Sequence, residues 1–166
     1  PYSPTRKYTP EDAPKEDLAN LHLRLGVERA VIVQASCHGT DNSAMLDAIQ
    51  WRPDHYRGVA IVDETFTDRD CQRLDDGGVR GVRFNFVKHL GGAPDMRVFR
   101  HVLDRVSGLG WHVVLHLDAV DIAPLSEMIQ GLTMPFVIDH MGRVDTTLGT
   151  DQPAFQTLLS LTRNER

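Results

Sequence analysis

The sequence predicts a parallel α/β fold and, within that class, the central portion of an eight-fold (β/α) barrel, a TIM barrel. Three observations carry this. Short β-branched runs alternate with helical patterns from residue 30 onward. The runs are nearly continuous in apolar residues, as parallel strands covered on both faces require. Each run also ends at once in a polar or ionisable side chain.

In chain order, a helix over about 14–25 comes first, and the first strand is AVIVQA, 30–35. Asn42 is expected to cap the next helix, which holds Leu46 and Ile49. The second strand is GVAIV, 58–62, and Gly77-Gly78 ends the helix after it. The third strand is VRGVRF, 79–84. Over 95–107, Val98, Phe99, Val102, Leu103 and Val106 recur at helical spacing as one apolar stripe, ended by Gly108. The fourth strand is HVVLHL, 112–117, and Ile122, Leu125, Met128, Ile129 and Leu132 mark a helix over 121–132. PFVID, 135–139, is the fifth strand, and a last helix over about 153–163 opens on Pro153, a favoured first-turn residue. The chain, 1–166, reads as one partial barrel domain of about five βα units.

A doubly wound sheet also fits this alternation. The strand ends separate the two, because a doubly wound sheet concentrates its chemistry at one switch point, whereas a barrel brings every strand end to one axis. The ends read Gln34 to His38, Asp63-Glu64, Arg83 to Asn85, His116 to Asp118 and Asp139-His140. All of them carry polar chemistry, which favours the barrel.

Composition narrows the partners. The net charge is −5 and the basic residues are scattered, against the one-sided Lys/Arg patch of a nucleic-acid binder. No apolar run approaches the ~20 residues that cross a bilayer. The opening PYSPTRKYTPEDAPKED is too polar for a signal peptide. Cys37 and Cys71 have no CxxC partner, which suits reduced thiols and a cytoplasmic location. GxGxxG, P-loop, GxSxG and HExxH patterns are all missing, so Ser36 is no nucleophile elbow.

Each candidate residue has a structural alternative. His140 follows a strand end with a glycine close behind, as though a ligand approaches, but a core histidine bonded to a carbonyl is the alternative. Arg83 faces the barrel axis, where it either waits for an anion or pairs with Asp63 or Asp118. His116 is balanced between the two readings. His112 reads as a strand start, His101 as a helix surface residue and Cys37 as filler.

VIVQASCHGTDN (31–42), RGVRFNFVKHL (80–90), GWHVVLHLDA (110–119) and VIDHMGRVD (137–145) together resemble the 2-pyrone-4,6-dicarboxylate lactonases and their neighbours among the amidohydrolases. The likeness runs through essentially the whole chain, and SPTRKYTPEDA near its start shares it. It implies a (β/α)8 barrel that hydrolyses a cyclic ester bearing carboxylates, with a place in aromatic catabolism. By motif, it assigns His140 to polarising the scissile carbonyl and Arg83 to a substrate carboxylate. Arg143, Tyr8 and Ser36 become substrate contacts.

The departures are specific. The family's opening HxH strand and the general-base aspartate of its eighth strand fall outside the chain as read. His89 stands where the family has a second arginine, and His116 where it has an aromatic; both are taken as substrate-facing, and His89 is expected to weaken dicarboxylate recognition. Cofactor use stays open between none and one divalent metal, with His140 as the ligand if a metal takes part. The expected function is hydrolysis of a carboxylated lactone. The alternatives are a metal-dependent amidohydrolase or decarboxylase acting on an aromatic or carboxylic acid, and a non-catalytic carboxylate-binding barrel fragment. Unpaired edge strands of such a sheet also favour association between copies.

Overall fold

In a computed structural model that describes residues 2–163, six α-helices and five parallel strands alternate. The order is α1 (Lys15–Leu25), β1 (Ala30–Val33), α2 (Ser43–Trp51), β2 (Tyr56–Ala60), α3 (Asp68–Asp76), β3 (Val79–Asn85), α4 (Met96–Val106), β4 (His112–His116), α5 (Ala119–Gln130), β5 (Phe136–Ile138) and α6 (Pro153–Leu161). The strands lie in the order β1-β2-β3-β4-β5, each pairing in parallel with its sequence neighbour. A doubly wound sheet would reverse direction at a switch point. The unbroken order is that of a half-barrel.

The local causes are those of ordinary helix chemistry. Thr67 and Asp70 form a reciprocal capping box that starts α3. Gly26 ends α1 at φ 71°, a conformation that costs glycine nothing. Pro153 opens α6 as expected. Two expectations are corrected. Asn42 stands at the N-cap of α2 but its side chain makes no cap bond. It bridges instead to the end of β2, donating to the Ile61 carbonyl at 2.9 Å and accepting from the Ile61 N–H. Nor does Gly108 end α4 directly, because a single 3₁₀ turn, Ser107–Leu109, intervenes before left-handed Gly110.

The register assigns the two faces of the sheet. Phe84 meets Phe99 of α4 edge-to-face at 4.5 Å, so Val82 and Phe84 point toward the helices. A Cβ on Gly58 would lie 2.8 Å from Met45 Sδ, so this glycine lets α2 sit close on β2. Fully buried Trp111, Phe99, Leu115, Ile122 and Ile129 fill the layer between sheet and helices. The alternate residues Gly81, Arg83 and Asn85 face the concave side, with register partners His112, Val114 and His116 on β4. On the edge strands this concave side is open: Val31 is 54% and Val137 47% exposed.

Candidate active site

The carboxyl ends of the strands form one rim, and side chains from β1, β3, β4 and β5 meet there. Arg83, near the end of β3, is 8% exposed, and its Nε donates to Asp139 Oδ2 at 2.8 Å. Its Nη1 reaches Ser36 Oγ at 3.5 Å, just beyond β1. The ion pair expected with Asp63 or Asp118 is therefore formed with Asp139. Asp63 instead closes its own turn, accepting from the Thr65 N–H and hydroxyl.

Beyond β5 the chain makes an unusual turn. His140, Met141 and Arg143 have φ of 52°, 52° and 49°, a left-handed region that residues other than glycine, asparagine, aspartate and histidine rarely enter. Gly142 lies among them at φ 64°, and a Cβ there would stand 2.6 Å from Ile122 Cδ1. The glycine expected to admit a ligand beside His140 thus serves packing against α5. Arg143 Nε forms an ion pair with Asp118 Oδ1 at 2.7 Å. Both arginines of the rim are held through Nε by an aspartate. Arg83 Nη1 is turned to Ser36 Oγ, which leaves Arg83 Nη2 and the terminal nitrogens of Arg143 without a protein partner among the described residues, in the fork geometry that suits a carboxylate.

Two imidazoles sit between these pairs. The rings of His116 and His140 are 5.0 Å apart and inclined at 60°. His116 is buried, and neither ring nitrogen has a hydrogen-bond partner among the described residues. Burial first, then the charge of Arg83, pushes its pKa down to about 4. It is a neutral imidazole at pH 7, with one donor and one acceptor to offer.

Tyr8 comes to the rim from the N-terminal segment, which is tied to β1 by the Ser3 N–H donating to the Cys37 carbonyl at 2.8 Å. Partial burial raises the Tyr8 pKa, hydrogen bonding with the Cys37 thiol adds to this, and the Arg83 charge opposes it. Cys37 itself is fully buried. Tyr8, Ser36, Arg83, His116, His140 and Arg143 therefore share one rim. His89 does not join them: it is exposed on the short turn Lys88–Leu90. The residues missed in the sequence are Asp118 and Asp139, which orient the two arginines. Each was visible as a strand-end acid, but its partner was not.

Among the described residues no three His, Cys, Asp or Glu side chains converge to hold an ion, and the two nearest carboxylates are engaged by arginines. No helix among them is long and apolar enough to cross a membrane.

Comparison with known proteins places this geometry in a family context. The amidohydrolase family profile matches residues 1–165. The chain is 45% identical over 166 residues to a 2-pyrone-4,6-dicarboxylate hydrolase of Comamonas testosteroni, covering 100% of the chain and 54% of that protein. It is 41% identical over 164 residues to a 4-sulfomuconolactone hydrolase of Hydrogenophaga intermedia, covering 98% of the chain and again 54% of the relative. A crystal structure of a probable 2-pyrone-4,6-dicarboxylic acid hydrolase from Acinetobacter baumannii, with citric acid bound, superimposes with a TM-score of 0.84 at 33% identity. That match covers 96% of the chain and 60% of the Acinetobacter chain. The chain thus spans about half the length of the curated relatives it matches.

Proposed function

Because the chain belongs to the amidohydrolase family, we propose that its rim binds a carboxylated lactone and activates the ring ester for attack by water. The observation that carries this is the pair of arginines anchored through Nε, beside two imidazoles. Arg83 takes a substrate carboxylate on its remaining terminal nitrogen, with the Ser36 and Tyr8 hydroxyls beside it. Arg143 offers a second anion contact. His140 donates to the ester carbonyl, where negative charge develops as water adds. His116, neutral and unpartnered, hydrogen-bonds a polar group of the substrate.

The bond changes are those of ester hydrolysis. Water oxygen bonds to the carbonyl carbon, the tetrahedral intermediate collapses, and the ring C–O bond breaks. The ring oxygen leaves as an enolate or alkoxide and picks up a proton, while the carbonyl becomes a new carboxylate. The resemblance gives the proton-accepting role to an aspartate of the barrel's last strand, which the described residues do not include. The relatives support a lactone bearing acidic groups, since they are named for 2-pyrone-4,6-dicarboxylate and 4-sulfomuconolactone. The citric acid held by the Acinetobacter protein fits a site for several carboxylates.

The test is proton release. The full-length protein is given 2-pyrone-4,6-dicarboxylate at constant pH, with pyrone absorbance and base uptake followed together. One equivalent of acid per pyrone lost supports the proposal. Binding without acid release supports a non-catalytic carboxylate binder, and neither binding nor release ends both readings.

A further inference from the structure

Asp118 occupies the N-cap position of α5, with an extended backbone at φ −89° and ψ 154°. An aspartate there ordinarily accepts from backbone N–H groups of the first turn. This one makes no such bond. Its carboxylate turns away from its own helix and takes Arg143 Nε at 2.7 Å.

What it reaches is the strained turn. Left-handed backbone at three non-glycine residues persists only where the surroundings over-determine it. Here the anchors lie on both sides of His140. Asp139, one residue before, is held by Arg83 of β3, and Arg143, three residues after, is held by Asp118. Between them Gly142 packs on Ile122, so α5 supplies two of the three holds. The imidazole is thereby fixed 5.0 Å from His116.

We infer that Asp118 is a positioning residue: through Arg143 it fixes the turn that aims His140 at the scissile carbonyl. This rests on His140 acting at that carbonyl, as proposed above. A displacement of ~1 Å at such a group costs on the order of 100-fold in rate. In the full-length enzyme, Asp118→Asn should therefore lower kcat on 2-pyrone-4,6-dicarboxylate by about 10- to 100-fold, in addition to any rise in KM from the loosened Arg143 contact. Asp118→Glu, which keeps the charge, should recover part of that loss. Asp118→Asn combined with Arg143→Gln should be no slower than Arg143→Gln alone, since both remove one ion pair.

Wild-type kcat in Asp118→Asn, a rise confined to KM, or additive losses in the double variant would overturn the assignment. If Asp118→Asn does not fold, Arg143→Gln removes the same pair from the other side, and an unchanged kcat there overturns it too. A crystal structure of Asp118→Asn separates this claim from the lactone reading. If the wild type opens no lactone, a His140 that has left positive φ still supports positioning, and a His140 that stays there refutes it.

Discussion

Arg83 and Asp139 lie 56 residues apart in sequence and meet at 2.8 Å, the guanidinium engaged by Nε and nearly buried. The alternatives of ligand clamp and internal salt bridge are thus not exclusive. Nε is engaged by Asp139 and Nη1 by Ser36, and the proposed carboxylate contact falls to the remaining terminal nitrogen.

Arg83→Met separates the two roles. Removing one partner of a buried pair strands Asp139 and should cost about 3 kcal/mol of stability. Loss of a charge-assisted hydrogen bond of ~1.5–3 kcal/mol should raise KM by about 10- to 100-fold. Adding Asp139→Leu removes the stranded charge, so urea denaturation should show stability largely restored while KM stays high. A double variant with wild-type KM would leave Arg83 a purely structural residue.

His116 makes stability depend on acidity. Its pKa falls from 6.5 in the unfolded chain to about 4 in the fold, so between these values the unfolded state binds the proton and the native state does not. The contribution is complete above pH ~6.5 and is lost progressively as pH drops toward ~4, by up to about 3 kcal/mol. His116→Phe should flatten that part of the profile, measured by urea unfolding at a series of pH values. An equal slope in both proteins would show that other groups govern it.

Gly142→Ala tests the turn. The substitution places a Cβ at positive φ and 2.6 Å from Ile122 Cδ1, so a destabilisation of about 2 kcal/mol or more is expected. Ile122→Ala carries its own cavity cost of about 2–5 kcal/mol, but relieving the contact should make that cost smaller in the Gly142→Ala background than in the wild type, read as non-additivity in thermal melts. Wild-type stability in Gly142→Ala would mean that the turn is readily reshaped.

His89→Arg should do little. The imidazole is exposed, and exposed substitutions usually fall within ~0.5 kcal/mol, about two-fold in KM. The sequence expectation that His89 weakens dicarboxylate recognition predicts the opposite, a clear fall in KM for the dicarboxylate. Kinetics on a lactone with one carboxylate and on one with two decides between them.

The strands and the rim were legible in the sequence because they rest on periodicity, and on the rule that barrel strands deliver their chemistry at their carboxyl ends. His116, Arg83 and His140 were found that way. Their pairings were not legible. Whether Arg83 meets Asp63, Asp118 or Asp139 depends on strand register and on the path of the turn after β5, and local composition encodes neither. The turn itself runs against local preference, since Met141 and Arg143 both take a left-handed backbone that such side chains rarely adopt. Asp118 was legible as a strand-end acid and a possible partner of Arg83, but it pairs instead with Arg143 on the next βα unit.

The neighbour-to-neighbour strand order also governs when the rim comes into being. A chain synthesised at ~5–20 residues per second can add each new strand to an edge already in place, with no long-range pairing to wait for. Arg83 and Asp118 emerge before the partners that orient them, Asp139 and Arg143, which arrive only with the fifth strand and its turn. Until that strand docks, a nascent chain carries a formed sheet with two unmatched charges at its rim and no aimed imidazole. The docking of β5 and the pairing of both rim arginines are one event.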